Sequence, residues 1–361
     1  MKFFQQLLVA PAALGLLAPL SVSASEINLD AISEYSEDNL EIDGNLFKQN
    51  APNETLLSGG EGLVESGDLT GGFSETTTAS FGVDFLVGAV DGGSDEATAF
   101  SYQMGIGLET SFTGEDALSA TIDIGDGTSG ALNFDDTTDV LTLDGLTYTF
   151  PVGGATVMVG DNTDISAVYT GACAYSAFTD YMGNCGTGSS VGVGGNGATA
   201  AMSYAFDSGF SLAGGVSSEP TSILTEEGSD VFGIEAAYTA DSYGVSVAYS
   251  DAETTTYWGI NGMYAFDFAT ISVGVESEDP DGSSTAEGFF VGLSFPEVGA
   301  GSLDLGIATS DNYADGATET YIYEASYAYP LNDGMTITPG IYIREGDTDQ
   351  TGFAVKTSFS F

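Results

Sequence analysis

The chain has 361 residues with 53 acidic and 4 basic side chains, no histidine and a formal net charge of -49. This acidity excludes binding to nucleic acid through a basic surface, and the absence of histidine removes the usual general base and zinc ligand. We therefore expect no enzyme. With 42% hydrophobic residues and 50 glycines, the chain is neither a disordered acidic tail nor a helical bundle, and many short strands fit best.

The N-terminal part is typical of an exported protein. Residues 1–24 have the features of a signal peptide, with Lys2 before an apolar stretch at residues 7–20 and small residues at its end. Residues 25–72 are acidic and lack a clean period, so we expect a loosely ordered periplasmic segment. No later run approaches the roughly 18 apolar residues of a membrane-spanning helix. Any membrane contact of residues 73–361 must therefore be made by strands or by the surface.

From residue 73 onward, apolar side chains recur at every second position, which is the period of a β-strand. Phe81, Val83 and Phe85, for example, alternate with small or polar residues. The fourth predicted strand is less regular because Asp144 falls on its apolar face, and residues 164–170 are ambiguous. The count is about 16, with strands predicted near residues 80–88, 100–112, 118–124, 146–150, 154–160, 198–206, 210–216, 232–238, 243–249, 258–266, 269–275, 289–295, 303–307, 321–329, 335–344 and 352–361.

The last two strands show the pattern most clearly. In residues 352–361, Phe353, Phe359 and Phe361 share one face, while Lys356 lies on the other. A terminal strand of about 10 residues with an apolar and a polar face is typical of a transmembrane β-barrel. Pairing with residues 335–344 places Arg344 and Lys356 together on the inner wall.

The predicted connections alternate in length. Every second one is short (TGED, PVGG, FDSG, ADS, FDF, PEVGAGS and PLNDG), whereas the others are longer and carry most of the turn acids. A barrel has two such unlike rims. The sequence therefore predicts an all-β protein, a transmembrane antiparallel β-barrel of about 16 strands in the outer membrane, whose acidic loops face the glycolipid. The alternative is an acidic structural or surface β-protein that forms no channel.

Four segments resemble the porins of cyanobacterial outer membranes, the carbohydrate-selective OprB-like group also called iron uptake porins. They are SEINLDAISEYS, FSETTTASFGVDFLVGAV, LETSFTGEDALSATIDIGD and LTLDGLTYTFPVGGATVMVGD. The resemblance implies a homotrimeric barrel for passive passage of small hydrophilic solutes and inorganic ions, with carbohydrate among them. Members of that group carry a surface-layer-homology domain before the barrel. Residues 37–72 are too short for one, so cell-wall tethering is not implied.

Several charged residues are predicted to point into the lumen. Opposed acids and bases would set a transverse field that favours cations, although an aqueous lumen also needs polar side chains for solvation alone. The pore-lining candidates are Asp84, Glu109, Asp123, Glu235, Glu276, Glu324, Arg344 and Lys356.

The longest connection, residues 161–196, contains both cysteines of the chain, Cys173 and Cys185, for which we expect a disulfide. This loop either folds inward and narrows the pore or forms a lid on the outer surface. If it folds inward, its candidate constriction residues are Asp161, Asp164, Tyr175, Asp180 and Tyr181.

Two weaker motifs lie in loops. Residues 192–197, GVGGNG, match the spacing of dinucleotide-binding glycines, but no strand-helix unit surrounds them, so a nucleotide site is rejected. Residues 278–282, EDPDG, allow a weak surface site for Ca²⁺ or Mg²⁺ but lack the spacing of a dedicated loop. No other cofactor is expected.

Overall fold

The computed structural model describes residues 77–92, 98–126, 140–191, 197–225, 229–310, 312–314, 316–346 and 348–361. The predicted signal peptide, the segment 25–72 and residues 73–76 lie outside this part. The strands are β1 (Thr77–Asp91), β2 (Ala99–Thr110), β3 (Ala117–Gly125), β4 (Thr142–Val152), β5 (Ala155–Thr163), β6 (Gly197–Ala205), β7 (Phe210–Ser218), β8 (Asp230–Thr239), β9 (Tyr243–Asp251), β10 (Thr255–Ala265), β11 (Thr270–Pro280), β12 (Ala286–Val298), β13 (Gly301–Thr309), β14 (Tyr313–Ala314), β15 (Tyr321–Asn332), β16 (Met335–Arg344) and β17 (Gln350–Ser360). Between β5 and β6 lie two 3₁₀ helices, Ile165–Val168 and Asp180–Gly186, and a one-turn α-helix, Gly188–Val191.

The strands form a closed antiparallel barrel. Neighbours in the sheet follow the chain order, and β1 pairs with both β2 and β17. Because β14 has two residues and pairs only with the end of β12, sixteen strands make up the wall, as predicted. At the seam, Phe361 and Phe81 exchange backbone hydrogen bonds of 2.8 and 3.1 Å, and their rings stack 5.5 Å apart. The last residue of the chain therefore extends the ladder that closes the barrel.

The two faces of the wall differ in chemistry. On β9, Val245 and Val247 are 44% and 46% exposed, whereas Ser246 and Ala248 are 2% and 1% exposed. The same alternation gives the barrel an apolar outer surface, which suits contact with lipid. Within the described part of the chain, no helix is long and apolar enough to cross a bilayer.

The irregularity predicted at Asp144 is a β-bulge. Thr121 pairs with Gly145 and Ile122 pairs with Leu143, so Asp144 is an extra residue in β4. Leu143 and Leu146 both stay exposed on the outside, while Asp144 is buried. A bulge shifts the alternation by one residue, and this is why the acid does not face lipid.

The two rims differ as the connection lengths predict. One rim has only tight connections, which are 111–116, 153–154, 206–209, 240–242, 266–269, 299–300 and 333–334. We call it the short-turn rim, which is the periplasmic side in barrels of this kind. The opposite, long-loop rim carries 164–196 and the connection from β13 to β15. Three of its connections are exceptions, 252–254, 281–285 and 345–349, because each is shorter than the turn 111–116 on the other rim.

A charged side chain introduced in the middle of the outer face tests whether that face contacts lipid. Val247→Arg is expected to lower the free energy of unfolding in lipid vesicles by about 2–4 kcal/mol, because Val247 lies in the middle of β9. The matched variant Phe268→Arg, at the short-turn rim, should cost only about 0–1 kcal/mol. Equal effects of the two substitutions in urea titrations would contradict the assigned outer face.

The β2–β3 turn is organised by Asp116. Its carboxylate accepts hydrogen bonds from Phe112 N at 3.0 Å, Thr113 N at 2.8 Å, Ser111 Oγ at 2.8 Å and Tyr148 Oη at 2.7 Å. Burial alone would raise the pKa of Asp116, but these hydrogen bonds outweigh it and hold the pKa well below its usual range. A carboxyl group whose pKa is lower in the folded than in the unfolded state stabilises the fold at pH values above its unfolded pKa of about 4. This stabilisation is lost as the pH falls below that value.

The Asp116→Asn variant should therefore have a lower free energy of unfolding than the parent protein at pH 7. The difference between the two free energies should become smaller as the pH falls below about 4. Unfolding midpoints in detergent across that range measure it. Glu115→Gln, an exposed neighbour in the same turn, provides the control and should show little difference at any pH.

Candidate functional site: the inner loop of the barrel

Residues 164–191, which we call the inner loop, lie inside the barrel. Their backbone and side chains form hydrogen bonds with inward-facing groups of β7, β8, β10, β11 and β15. Of the two arrangements predicted for the long connection, the structure therefore has the inward one. The loop follows the inner wall from β5 to the seam and then returns to β6.

The loop starts with a short helix packed on the wall. Asp164 caps the helix Ile165–Val168, accepting a hydrogen bond from Ser166 N at 2.7 Å and another from the Ser166 hydroxyl. Ile165 is fully buried against Met158 and Ala201. Asp164, a predicted constriction residue, is buried and serves as a helix cap.

Two buried glutamates of the wall hold the first part of the inner loop, residues 164–179, which we call the outgoing arm. Glu235 on β8 accepts hydrogen bonds from Thr170 N at 2.7 Å and Gly171 N at 2.9 Å. Glu324 on β15 accepts hydrogen bonds from Phe178 N at 2.5 Å and Thr179 N at 2.7 Å. The Thr179 hydroxyl, at 2.5 Å, and the Tyr175 hydroxyl, at 3.1 Å, also donate to Glu324.

A third glutamate holds the second part of the inner loop, residues 180–191, which we call the return arm. Glu276 on β11 accepts a hydrogen bond from Ser190 N at 2.6 Å and one from Asn312 Nδ2 at 3.3 Å. All three glutamates are at most 4% exposed. They point inward as the alternation predicts, but they bind the loop and do not face open fluid.

Apolar contacts fix the tip of the outgoing arm at the barrel seam. Phe178 packs in a buried cluster with Leu86 of β1, Tyr342 of β16 and Ala354 of β17. A methyl group built on Gly340 would lie 2.5 Å from the Phe178 ring, so only glycine leaves room for the ring there. The sequence did not predict the role of Phe178, because a loop has no periodicity that distinguishes one of its residues. Gly340, on the inner face of its strand, was the signal that could have indicated it.

The return arm is packed and cross-linked. Met182 and Cys185 are buried with Phe290 and Ile322 of the wall. The predicted disulfide is present, with Cys173 and Cys185 Cα atoms 6.0 Å apart. It joins the outgoing arm to the return arm, and therefore restricts their separation.

The remaining predicted constriction residues lie in different places. Asp161 belongs to β5 and pairs with Leu146, whose side chain is exposed on the outer face, so the expectation that Asp161 lines a constriction is wrong. Asp180 is exposed on the loop, and Tyr181 follows it. The Arg344 guanidinium carbon lies 4.9 Å from the centre of the Tyr181 ring, a cation–π contact between wall and loop.

The other predicted pore residues also face inward, with differing exposure. Asp84 and Lys356 are half-buried on β1 and β17, and Glu109 is exposed near the short-turn end of β2. Asp123 is buried on β3. Asp84, Lys356 and Glu109 therefore retain access to fluid, which the three loop-binding glutamates lack.

No ion-binding cluster is evident. The described residues contain no group of three or more histidine, cysteine, aspartate or glutamate side chains that could hold a metal ion. In the EDPDG segment, Asp279 Oδ1 accepts a hydrogen bond from the Thr285 hydroxyl at 3.0 Å. The glycine motif at 192–197 falls almost entirely outside the described residues.

A closed barrel with an apolar outer wall and a loop held inside it defines an outer-membrane channel protein. The model of the Gram-negative porin family matches residues 63–350, and the chain belongs to this family. Family membership makes the protein a channel of the outer membrane and not an enzyme, and it sets aside the alternative of a non-channel surface protein.

Solved porins share the fold. A mutant of Rh. blastica porin is 19% identical, with a TM-score of 0.56 over 79% of this chain and 100% of that chain. A second mutant of that porin is 18% identical with a TM-score of 0.58 over the same shares. OmpT of Vibrio cholerae, lacking loop L8, is 11% identical with a TM-score of 0.60 over 79% of this chain and 99% of that chain. No curated protein matches the chain in sequence.

Removing a loop anchor should widen the channel. Glu324→Ala leaves the buried N–H groups of Phe178 and Thr179 without their acceptor, at a cost of about 1–3 kcal/mol for each group. The loop tip should detach, and single-channel conductance should rise with more current noise. Glu115→Ala, at an exposed glutamate of the β2–β3 turn, is the control. Unchanged conductance in Glu324→Ala would show that the glutamate does not hold the constriction.

Proposed function

We propose that the protein is a passive diffusion channel for small hydrophilic solutes and inorganic ions, with a preference for cations. The observation that carries this proposal is the inner loop, which narrows the barrel and is held at both arms by buried glutamates. A loop held this firmly leaves a passage of constant width. Size and charge then decide which solutes pass.

The charge balance supports cation preference. Lys2 and Lys48 precede the barrel, so Arg344 and Lys356 are the only bases within residues 77–361, against an acidic excess in the whole chain of 53 to 4. Acids lining an aqueous passage raise the local concentration of cations and repel anions. The field is strongest at low ionic strength, where the Debye length is long.

Both signs of charge meet near the seam. The Arg344 guanidinium lies over the ring of Tyr181. The exposed Asp180 precedes Tyr181 in the loop. Lys356 lies on the adjacent strand β17, and Asp84 on β1 beyond it. These residues would set a field across the constriction, while the wider excess of acids sets the net preference.

A hydrophilic wall is available for the passage on β2–β4. Glu109 pairs with Ser119, and Ser119 pairs with Thr147, so the three side chains form one inward row. All three retain access to fluid. Hydroxyl groups and one carboxylate exchange hydrogen bonds with water and with polar solutes, and this favours passage of hydrated molecules.

The finer assignments rest on the resemblance to cyanobacterial carbohydrate-selective porins. We propose carbohydrates among the solutes, a homotrimer as the assembly, and outer-membrane lipid and glycolipid as the surroundings. A liposome-swelling series with sugars of graded size tests the solute range, and cross-linking in native membranes tests the trimer.

Reversal potentials in planar bilayers test the charge preference. Under a KCl gradient we expect a potassium-to-chloride permeability ratio above one. It should increase at low salt, and further in Arg344→Gln and Lys356→Gln, because each removes one of the two inward bases. Glu115→Gln in the β2–β3 turn should leave it unchanged. Chloride preference of the parent protein would refute the proposal.

A further inference from the structure

The Tyr181 side chain of the inner loop contacts two side chains of strand β16. Its ring centre lies 5.7 Å from that of Tyr342, with the two rings inclined at 58°, and 4.9 Å from the Arg344 guanidinium carbon. Tyr342 and Arg344 are two residues apart in the strand, so both lie on its inner face. The loop ring therefore links an aromatic and a cationic side chain of the wall.

The Tyr181 ring is held in place from the wall and from the loop. Tyr342 is fully enclosed in the buried cluster at the seam. A methyl group built on Gly352, its pairing partner on β17, would overlap the Tyr342 ring, so glycine leaves the room that this ring needs. Two residues before Tyr181, the backbone N–H of Thr179 donates to Glu324 at 2.7 Å. The aromatic side of the contact is therefore fixed.

Arg344, in contrast, has a long flexible side chain at the end of its strand. It is the last residue of β16, next to the connection 345–349 of the long-loop rim, and it is half-buried. Among the described residues, no acceptor lies within hydrogen-bond distance of its buried Nε, so a hydrogen bond at that atom does not fix the guanidinium. Because a guanidinium is attracted to the face of an aromatic ring, the Tyr181 ring determines where this positive charge lies.

The position of this charge matters because the barrel contains so few bases. Arg344 and Lys356 are the only two within residues 77–361. A guanidinium held against the inner loop lies beside the passage, where it attracts anions and repels cations. The same group without the ring would extend into fluid at the long-loop rim, where salt screens its charge within a Debye length.

We propose that Tyr181 is a positioning residue for the charge selectivity of the channel. Its ring holds the Arg344 guanidinium against the inner loop, beside the passage, and thereby limits the preference for cations. The inference rests on the proposed ion channel and names the residue that sets the strength of its charge preference. Loss of the ring releases the guanidinium toward the rim, and the cation preference increases.

Reversal potentials of the full protein in planar bilayers, under a KCl gradient at low salt, test this role. Tyr181→Leu should raise the potassium-to-chloride permeability ratio by about 1.5- to 2-fold, in the same direction as Arg344→Gln. Tyr181→Phe keeps the ring and loses only the hydroxyl, so it should have the ratio of the parent protein. An unchanged ratio in Tyr181→Leu, or an equal shift in Tyr181→Phe, would contradict the proposal.

A double-mutant cycle separates this role from a general loosening of the loop. If the ring acts through the guanidinium, Tyr181→Leu should cause no further change of the permeability ratio in the Arg344→Gln protein. A loop that the leucine merely loosens would shift the ratio by the same factor in both backgrounds, and this outcome would overturn the proposal. The effect of Tyr181→Leu should also become smaller in 1 M KCl, where the Debye length is about 3 Å. A change of pore width alone would persist there.

The parent protein in the same bilayers gives the sign of the preference. A parent ratio below one refutes the proposed cation preference, whatever the cycle shows for Tyr181. A parent ratio above one with equal shifts in both backgrounds refutes the positioning role alone. The two failures are therefore distinguishable.

Discussion

The structure depends on one constraint: backbone N–H and C=O groups that face hydrocarbon must be paired within the protein. A sheet with two free edges leaves a row of such groups unpaired, and closing the sheet removes both edges. Here the closure joins β1 to β17, the first and last strands of the barrel. The extended chain and the closed sheet follow from that requirement, and antiparallel pairing of every neighbour around the ring gives the even number of wall strands.

Closure also creates an interior that strand side chains alone do not fill. The inner loop lies within it, and its backbone N–H groups then need acceptors away from bulk water. Glu235, Glu276 and Glu324 supply them. A carboxylate offers several acceptor positions to an amide pair, and charged hydrogen bonds are stronger than neutral ones. The acidic composition of the chain thus has a structural use inside the barrel as well as an electrostatic one in the passage.

The sequence allowed prediction of the wall but not of the loop inside it. A period of two identifies each strand and the face on which a side chain lies, and it puts Glu324 and Arg344 on the inner face. It does not say what lies opposite, so it could not separate a glutamate that faces fluid from one that binds a loop. Asp161 was misplaced because β5 continues through it, and Asp144 because a bulge changes the parity.

The position of Phe178 links the pore to assembly of the barrel. Its ring belongs to a buried cluster that includes Leu86 and Ala354, from the two strands that meet at the seam, β1 and β17. These strands are the farthest apart in sequence of any paired neighbours, so their joining carries the largest loop-closure entropy in the wall. Burial of the Phe178 ring in a cluster with side chains of both strands offsets part of that cost. The side chain that holds the inner loop against the wall therefore also stabilises the pairing of the first and last strands.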